Sequence, residues 1–144
     1  MLKTVTAFLC ALGVLMGAHA VEAAEATPKT FVVITSQNME TQGMALVLSL
    51  QALQNGSEVR ILLCDHGGDI ALKDYKGTAL KPRNVTPQQL LKKALSKGAT
   101  ADVCALYLPN RDLTADVLIP GVSGVKPPQI GQYMADPSVR YFTF

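Results

Sequence analysis

Three short apolar runs, set apart by stretches long enough for a helix, constrain this chain more than any other feature. They are Phe31-Val32-Val33-Ile34-Thr35, the segment Glu58 to Cys64, and the segment Thr100 to Leu106. Near-continuous apolar runs of this length mark strands buried on both faces. Between the first two, Asn38 can cap a helix from about Met39 to Gln54, which stops at Asn55-Gly56. Before the third, Thr86-Pro87-Gln88-Gln89 combines a cap, a proline at the first helical position and a capping box, and Gly98 ends the helix. Further on, Asp112 to Val117 reads as a short helix and Leu118-Ile119 as a short strand or link. Gln129 to Ala135 reads as a last helix and Arg140 to Phe144 as a terminal strand. Strands alternating with helices at this spacing build βαβ units. The expected fold is α/β, a parallel sheet of about five strands flanked by helices.

The first residues stand apart from this pattern. Lys3 is followed by an almost wholly apolar stretch, Val5 to Gly17, and then by Ala18-His19-Ala20, with Val21-Glu22-Ala23 a close alternative. That is the pattern of a secretory signal peptide with a small-x-small cleavage site. The stretch falls short of the roughly 18 residues of a membrane span. Residues 1–24 are therefore expected to be a signal peptide, and 25–144 one exported, periplasmic domain with no membrane association after cleavage. About 120 residues can bury a working core without a metal or disulfide staple. Removing residues 1–24 takes away only Lys3 and Glu22 among charged groups, leaving the chain near neutral. Lys92, Lys93 and Lys97 fall on one helix as a solvated face, and no dense basic stripe of the kind nucleic acid requires is present.

The helix from Met39 to Gln54 is apolar around much of its circumference: Leu46, Leu50 and Leu53 form one row, with Met44, Val47 and Leu48 beside it. Such a helix has a second surface to cover besides the sheet, and contact with another subunit is one use of it. Asp65 to Val85 is a connection of roughly twenty residues, longer than compact domains usually carry. Gly67-Gly68 is read as giving it flexibility, and Asp69 to Tyr75 as a short helix. The segment is expected to form part of a pocket wall over the strand ends.

Chemistry concentrates in two cysteines, Cys64 and Cys104, each at the carboxyl end of an expected strand, where α/β sheets bind ligands. His66 is the one histidine left after cleavage and the nearest charged helper; Asp65 opposes ionisation of a neighbouring thiol. Asp74, Tyr75, Tyr107 and Arg111 are candidates for a pocket rim. An ordinary thiol is only about 3% ionised at pH 7. Lowering its pKa by two units gives about three-quarters thiolate, a shift of roughly 2.7 kcal/mol. The end of the third strand decides the role of Cys104: an end at Ala105 leaves it accessible, whereas an end at Leu108 buries it.

The first strand with its apolar helix, Gly98-Ala99 leading to Val103-Cys104, and Leu118-Ile119-Pro120-Gly121-Val122 together resemble the DsrE/DsrF-like family. The resemblance implies a flavodoxin-like fold and a homo-oligomer, trimeric or hexameric. It also implies that Cys104 matches the cysteine that accepts sulfane sulfur as a persulfide, exchanging it with a donor or acceptor protein. Cys64 has no counterpart in the sulfur-relay members. The expected activity is that of a sulfurtransferase-like sulfur carrier or redox thiol with no cofactor, using Cys104, Cys64 and His66.

Two other uses of the same residues stand beside it. Cys64, His66 and Cys104, with Met39 or Met44, suit a soft ion such as Cu(I) in a non-catalytic binding protein. A structural disulfide is the third, since export favours paired cysteines. With strand order 2-1-3 the two cysteine strands lie about 9.5 Å apart. A disulfide needs Cα atoms within about 7 Å.

Overall fold

The computed structural model describes residues 27–144, so the expected signal peptide lies outside the described residues. Five strands form one sheet: β1 (Lys29–Ile34), β2 (Glu58–Leu63), β3 (Thr100–Val103), β4 (Val122–Gly124) and β5 (Val139–Thr143). Their order is β4-β3-β2-β1-β5, and every neighbouring pair is parallel. This is the expected α/β, flavodoxin-like architecture. Among the described residues no helix is long and apolar enough to cross a membrane.

Among the described residues three helices flank the sheet: α1 (Met39–Gln54), α2 (Pro87–Ser96) and α3 (Pro127–Met134). The chain steps from β1 through β4 in one direction and then returns past β1 to lay down β5. Right-handed crossovers therefore put α1 and α2 on one face and α3 on the other. The core follows that division. Val32, Ile34, Ile61, Leu63 and Val103 pack with Leu46 of α1 and Leu91 of α2. Phe31, Leu62 and Val139 pack with Ile130 of α3.

The local signals that set the helices are satisfied in full. Asn38 Oδ1 accepts from the amides of Glu40 and Thr41 at 2.9 and 3.0 Å. Thr86 Oγ1 accepts from the Gln89 amide at 3.2 Å, while Gln89 Oε1 accepts from the Thr86 amide at 2.8 Å. The outer face of α1 leaves Met44, Val47 and Leu48 exposed, and β5 exposes Tyr141 and Phe142 at the sheet edge.

Several expectations are corrected. The order is not 2-1-3: β2 lies directly between β1 and β3. The third strand ends at Val103, because Tyr107 donates its amide to the Cys104 carbonyl at 3.0 Å and turns the chain. Of the two readings of Leu118-Ile119, the link holds and the sheet strand does not: Leu118 forms an antiparallel bridge with Leu72, and the Ile119 amide bonds Ala71 O at 2.8 Å. The fourth strand starts instead at Val122. The expected helices at Asp69 to Tyr75 and Asp112 to Val117 are replaced by 3-10 turns at Asp65–Ala71, Pro109–Arg111 and Ala115–Val117.

Gly67-Gly68 is not a hinge. A Cβ on Gly67 would lie 2.0 Å from the Ile34 carbonyl oxygen, and one on Gly68 would lie 2.3 Å from the Tyr107 ring. Both glycines are there so that the turn can sit against the ends of β1 and β3. The long connection then splits: its first residues lie over the strand ends, whereas residues 78–85 fold back against α1 and α2.

Candidate functional site

The register of β2 and β3 pairs Leu62 with Asp102 and Leu63 with Val103. One step further, the same register sets Cys64 opposite Cys104. The ladder continues through them, with the Cys64 amide bonding Ile34 O and the Cys104 amide bonding Leu63 O, each at 2.9 Å. Alternation along the strands turns both thiols toward the α3 face, with Leu62 and Asp102. Neighbouring strands run about 4.8 Å apart, within the Cα separation of about 4.4–6.8 Å that a disulfide spans. Both cysteines are free and half-buried.

The two thiols share a cleft of about 740 Å³ beyond the ends of β2 and β3. Leu62, Leu106, Val125, Ile130 and Met134 make its walls apolar; Asp65 and Arg111 bring charge to it. Leu106 and Met134, 69% and 51% exposed, stand as apolar lips at the opening. Burial, the hydrogen bond to Cys104 and the charge there push the Cys64 thiol up to about 12. Cys64 thus keeps its proton at neutral pH.

A second group of polar residues stands beside the cleft, organised by Asp69. Tyr107 Oη donates to Asp69 Oδ1 at 2.8 Å. His66 Nδ1 lies 3.1 Å from Asp69 Oδ2. The Arg111 guanidinium stacks on the Tyr107 ring at 4.3 Å and lies 3.5 Å from Asp65 and 3.9 Å from Asp69. Burial and Asp69 together raise the Tyr107 phenol above its ordinary range. His66, expected beside the thiols, is turned onto Asp69 and does not line the cleft; Tyr107 and Arg111 do line it. Asp74 and Tyr75 do not. Sequence reading missed Asp69, whose signal was its place one residue after the tightly packed glycine pair.

Beneath the thiols, on the same face, Asp102 is buried and accepts from Arg60 Nε and Nη2 at 3.0 and 2.7 Å and from Ser123 Oγ at 3.2 Å. Arg60 in turn lies over the Tyr133 ring at 5.2 Å.

Among the described residues no group of three or more histidine, cysteine, aspartate and glutamate side chains is placed to hold a metal ion. The soft donors that line the cleft are Cys64, Cys104 and Met134. Met39 is engaged elsewhere, its sulfur accepting from the Thr78 amide at 3.3 Å. Met44 lies on α1, across the sheet.

Solved structures share this fold. The crystal structure of the ychN protein from E. coli superposes with a TM-score of 0.67 at 17% identity, over 82% of this chain and 99% of that one. The fold is DsrE/YchN-like. A protein of unknown function from Methanobacterium thermoautotrophicum, MTH1491, agrees, with a TM-score of 0.63 at 13% identity, over 81% of this chain and 99% of that one. No family model matches the sequence, and no curated protein matches it either. At these identities the likeness extends to the DsrE/YchN-like fold alone.

The raised Cys64 thiol has a measurable consequence within this fold. The native chain holds that proton more tightly than the unfolded chain, so it binds more protons between the ordinary thiol range and about 12. Stability therefore falls as pH rises through that window. Urea midpoints at about pH 8 and about pH 10.5 are expected to decline less in Cys64→Ser than in the parent. Equal declines would contradict the assignment.

Proposed function

We propose that this chain is an exported sulfur carrier in which Cys104 takes up sulfane sulfur and Cys64 stays a protonated neighbour. The observation that carries the reading is the in-register pair of thiols at the floor of an open cleft. Of the two, Cys64 is held protonated by burial and by its neighbour. Cys104 is therefore the member that supplies the nucleophile, and it is the residue that the DsrE/DsrF-like resemblance assigns.

In the loading step the Cys104 thiolate attacks the outer sulfur of a donor persulfide, R–S–SH. The donor S–S bond breaks, R–S⁻ leaves, and Cys104–S–SH forms with its proton on the terminal sulfur. An acceptor thiolate reverses the exchange and regenerates Cys104 thiolate. The hazard is Cys64 itself: as a thiolate it would attack Cys104 Sγ, expel HS⁻ and close a disulfide. Burial, the first cause of its raised thiol, holds Cys64 in the protonated form and so protects the persulfide. The apolar lips Leu106 and Met134 suit a donor or acceptor that presents its sulfur on an apolar protein surface.

The test is the mass of protein expressed from the full chain and treated with a low-molecular-weight persulfide. Parent and Cys64→Ser protein are expected to gain about 32 Da, removable by reductant, and Cys104→Ser to gain nothing. Loading at Cys64 alone, or no loading of either cysteine, would overturn the proposal. A soft-metal role is favoured by one observation, that Met134 lines the same cleft as both thiols, and the same spectrum reads it as a gain of about 63 Da on exposure to Cu(I).

A further inference from the structure

The long connection between β2 and α2 builds something the thiol cleft does not use. Leu80 and Val85 pair through two backbone hydrogen bonds, Leu80 amide to Val85 O at 2.9 Å and Val85 amide to Leu80 O at 3.3 Å. Residues 81–84 form the tip of this small hairpin, with Asn84 in the left-handed region at φ 52°. Leu80 is seated on α1 at Gly43, where an added Cβ would stand 2.4 Å from Leu80 Cδ1. The hairpin is therefore fixed over the helices rather than hanging free.

Between it and the helices lies a groove of about 1040 Å³, on the sheet face opposite the cysteines. Its apolar surface comes from Met44, Val47 and Leu50 of α1, Leu80 of the hairpin and Leu90 of α2. Met44 and Val47 are 55% and 40% exposed. Its cations come from two sides: Lys81 and Arg83 on the hairpin tip, and Lys93 on α2. Among the described residues none of the three has an ion-pair partner. One carboxylate, Glu40, also lines the groove, from the first turn of α1.

We propose that this groove binds an amphipathic anion, with its apolar body along Met44, Val47 and Leu80 and its anionic head at Lys81, Arg83 and Lys93. Three features require both halves of that ligand. The groove is at the large end of small-molecule sites. Its walls expose apolar side chains that gain by being covered. Its lining includes three cations with no ion-pair partner among the described residues, which a neutral apolar ligand would leave unused. A second copy of this chain covers the apolar walls equally well but gives no account of the cations. It is therefore the rival occupant.

The experiment uses protein expressed from the full chain. Binding of 1-anilinonaphthalene-8-sulfonate is followed by fluorescence, with displacement by laurate and, as a neutral comparison, by decyl maltoside. Laurate is expected to displace the probe. In the Lys81→Glu, Arg83→Glu double variant, and again in Lys93→Glu, its affinity is expected to fall about tenfold. Decyl maltoside is expected to compete poorly and with no dependence on these charges. All three positions are at the surface, and the far-UV circular dichroism of each variant verifies its fold. Unchanged laurate affinity in the charge variants overturns the proposal. So does equal competition by the neutral detergent. Light scattering that shows self-association lost in Val47→Glu, with no laurate bound by the parent, assigns the groove to a second copy and overturns it as well. Loading of Cys104 is independent of every one of these outcomes.

Discussion

Replacing Asp102 by alanine is expected to lower the unfolding free energy by about 3 kcal/mol, the low end of the cost of breaking a buried ion pair from one side. The reason is what the substitution leaves behind. The Asp102 carboxylate is 7% exposed and the Arg60 side chain 20% exposed. Arg60 makes both its Nε and Nη2 contacts to the same carboxylate oxygen. Without the carboxylate, the Arg60 guanidinium on the α3 side of the sheet keeps the Tyr133 ring and loses its ion-pair partner. Asp102→Asn keeps an acceptor and loses the charge, so it should cost less than the alanine. Changing both partners, Arg60→Met with Asp102→Leu, should recover most of the loss, because no unpaired charge then stays buried. Urea midpoints at constant m-value measure all three. An alanine variant within about 0.5 kcal/mol of the parent, the range of an ordinary surface change, would contradict the pairing.

Gly67→Ala is expected to cost a similar amount, about 3 kcal/mol, by a different route. The added methyl meets backbone, with the Ile34 carbonyl oxygen at 2.0 Å and its carbon at 2.6 Å. That carbonyl also accepts the Cys64 amide, so relief moves the end of β1 and the start of the thiol cleft together. Gly68→Ala is the instructive comparison. Its obstacle is the Tyr107 ring at 2.3 Å, a side chain that can swing aside. It should cost less stability than Gly67→Ala but break the Tyr107–Asp69 hydrogen bond and alter tyrosine fluorescence. If Gly67→Ala unfolds at the parent's urea midpoint, the close approach of the turn to β1 is wrong.

Much of this fold was legible because its signals are local. Asn38 and Thr86 cap the helices they were expected to cap, through the bonds their spacing implies. The strands of β1 and β2 read correctly as double-sided apolar runs. Strand order was not legible, because no residue near β2 states which neighbour it will take. That one gap inverted the argument about the cysteines. With β1 between them they stand apart, whereas with β2 against β3 they are cross-strand neighbours. The boundary of β3 was missed for a related reason. Tyr107 ends the strand by packing on Gly68, a contact between residues 39 positions apart. His66 was placed beside the thiols by its nearness in sequence to Cys64. The turn at Asp65, where φ is 47°, directs it away and onto Asp69.

Asp69 has a consequence for how the site responds to change. One carboxylate holds three side chains from separate stretches of the chain: His66 on its own turn, Tyr107 after β3, and Arg111 beyond it. Side chains that share a partner do not contribute independently. Once the carboxylate is gone, removing the Tyr107 hydroxyl has little left to undo, so those two losses add to less than their sum, whereas Arg111 keeps Asp65 at 3.5 Å and the Tyr107 ring. His66 and Tyr107 thus depend on one carboxylate, and Arg111 depends on it in part. Tyr107 and Arg111 line the thiol cleft and Asp69 does not, so the surroundings of Cys104 can be retuned through a residue that lies outside the cleft.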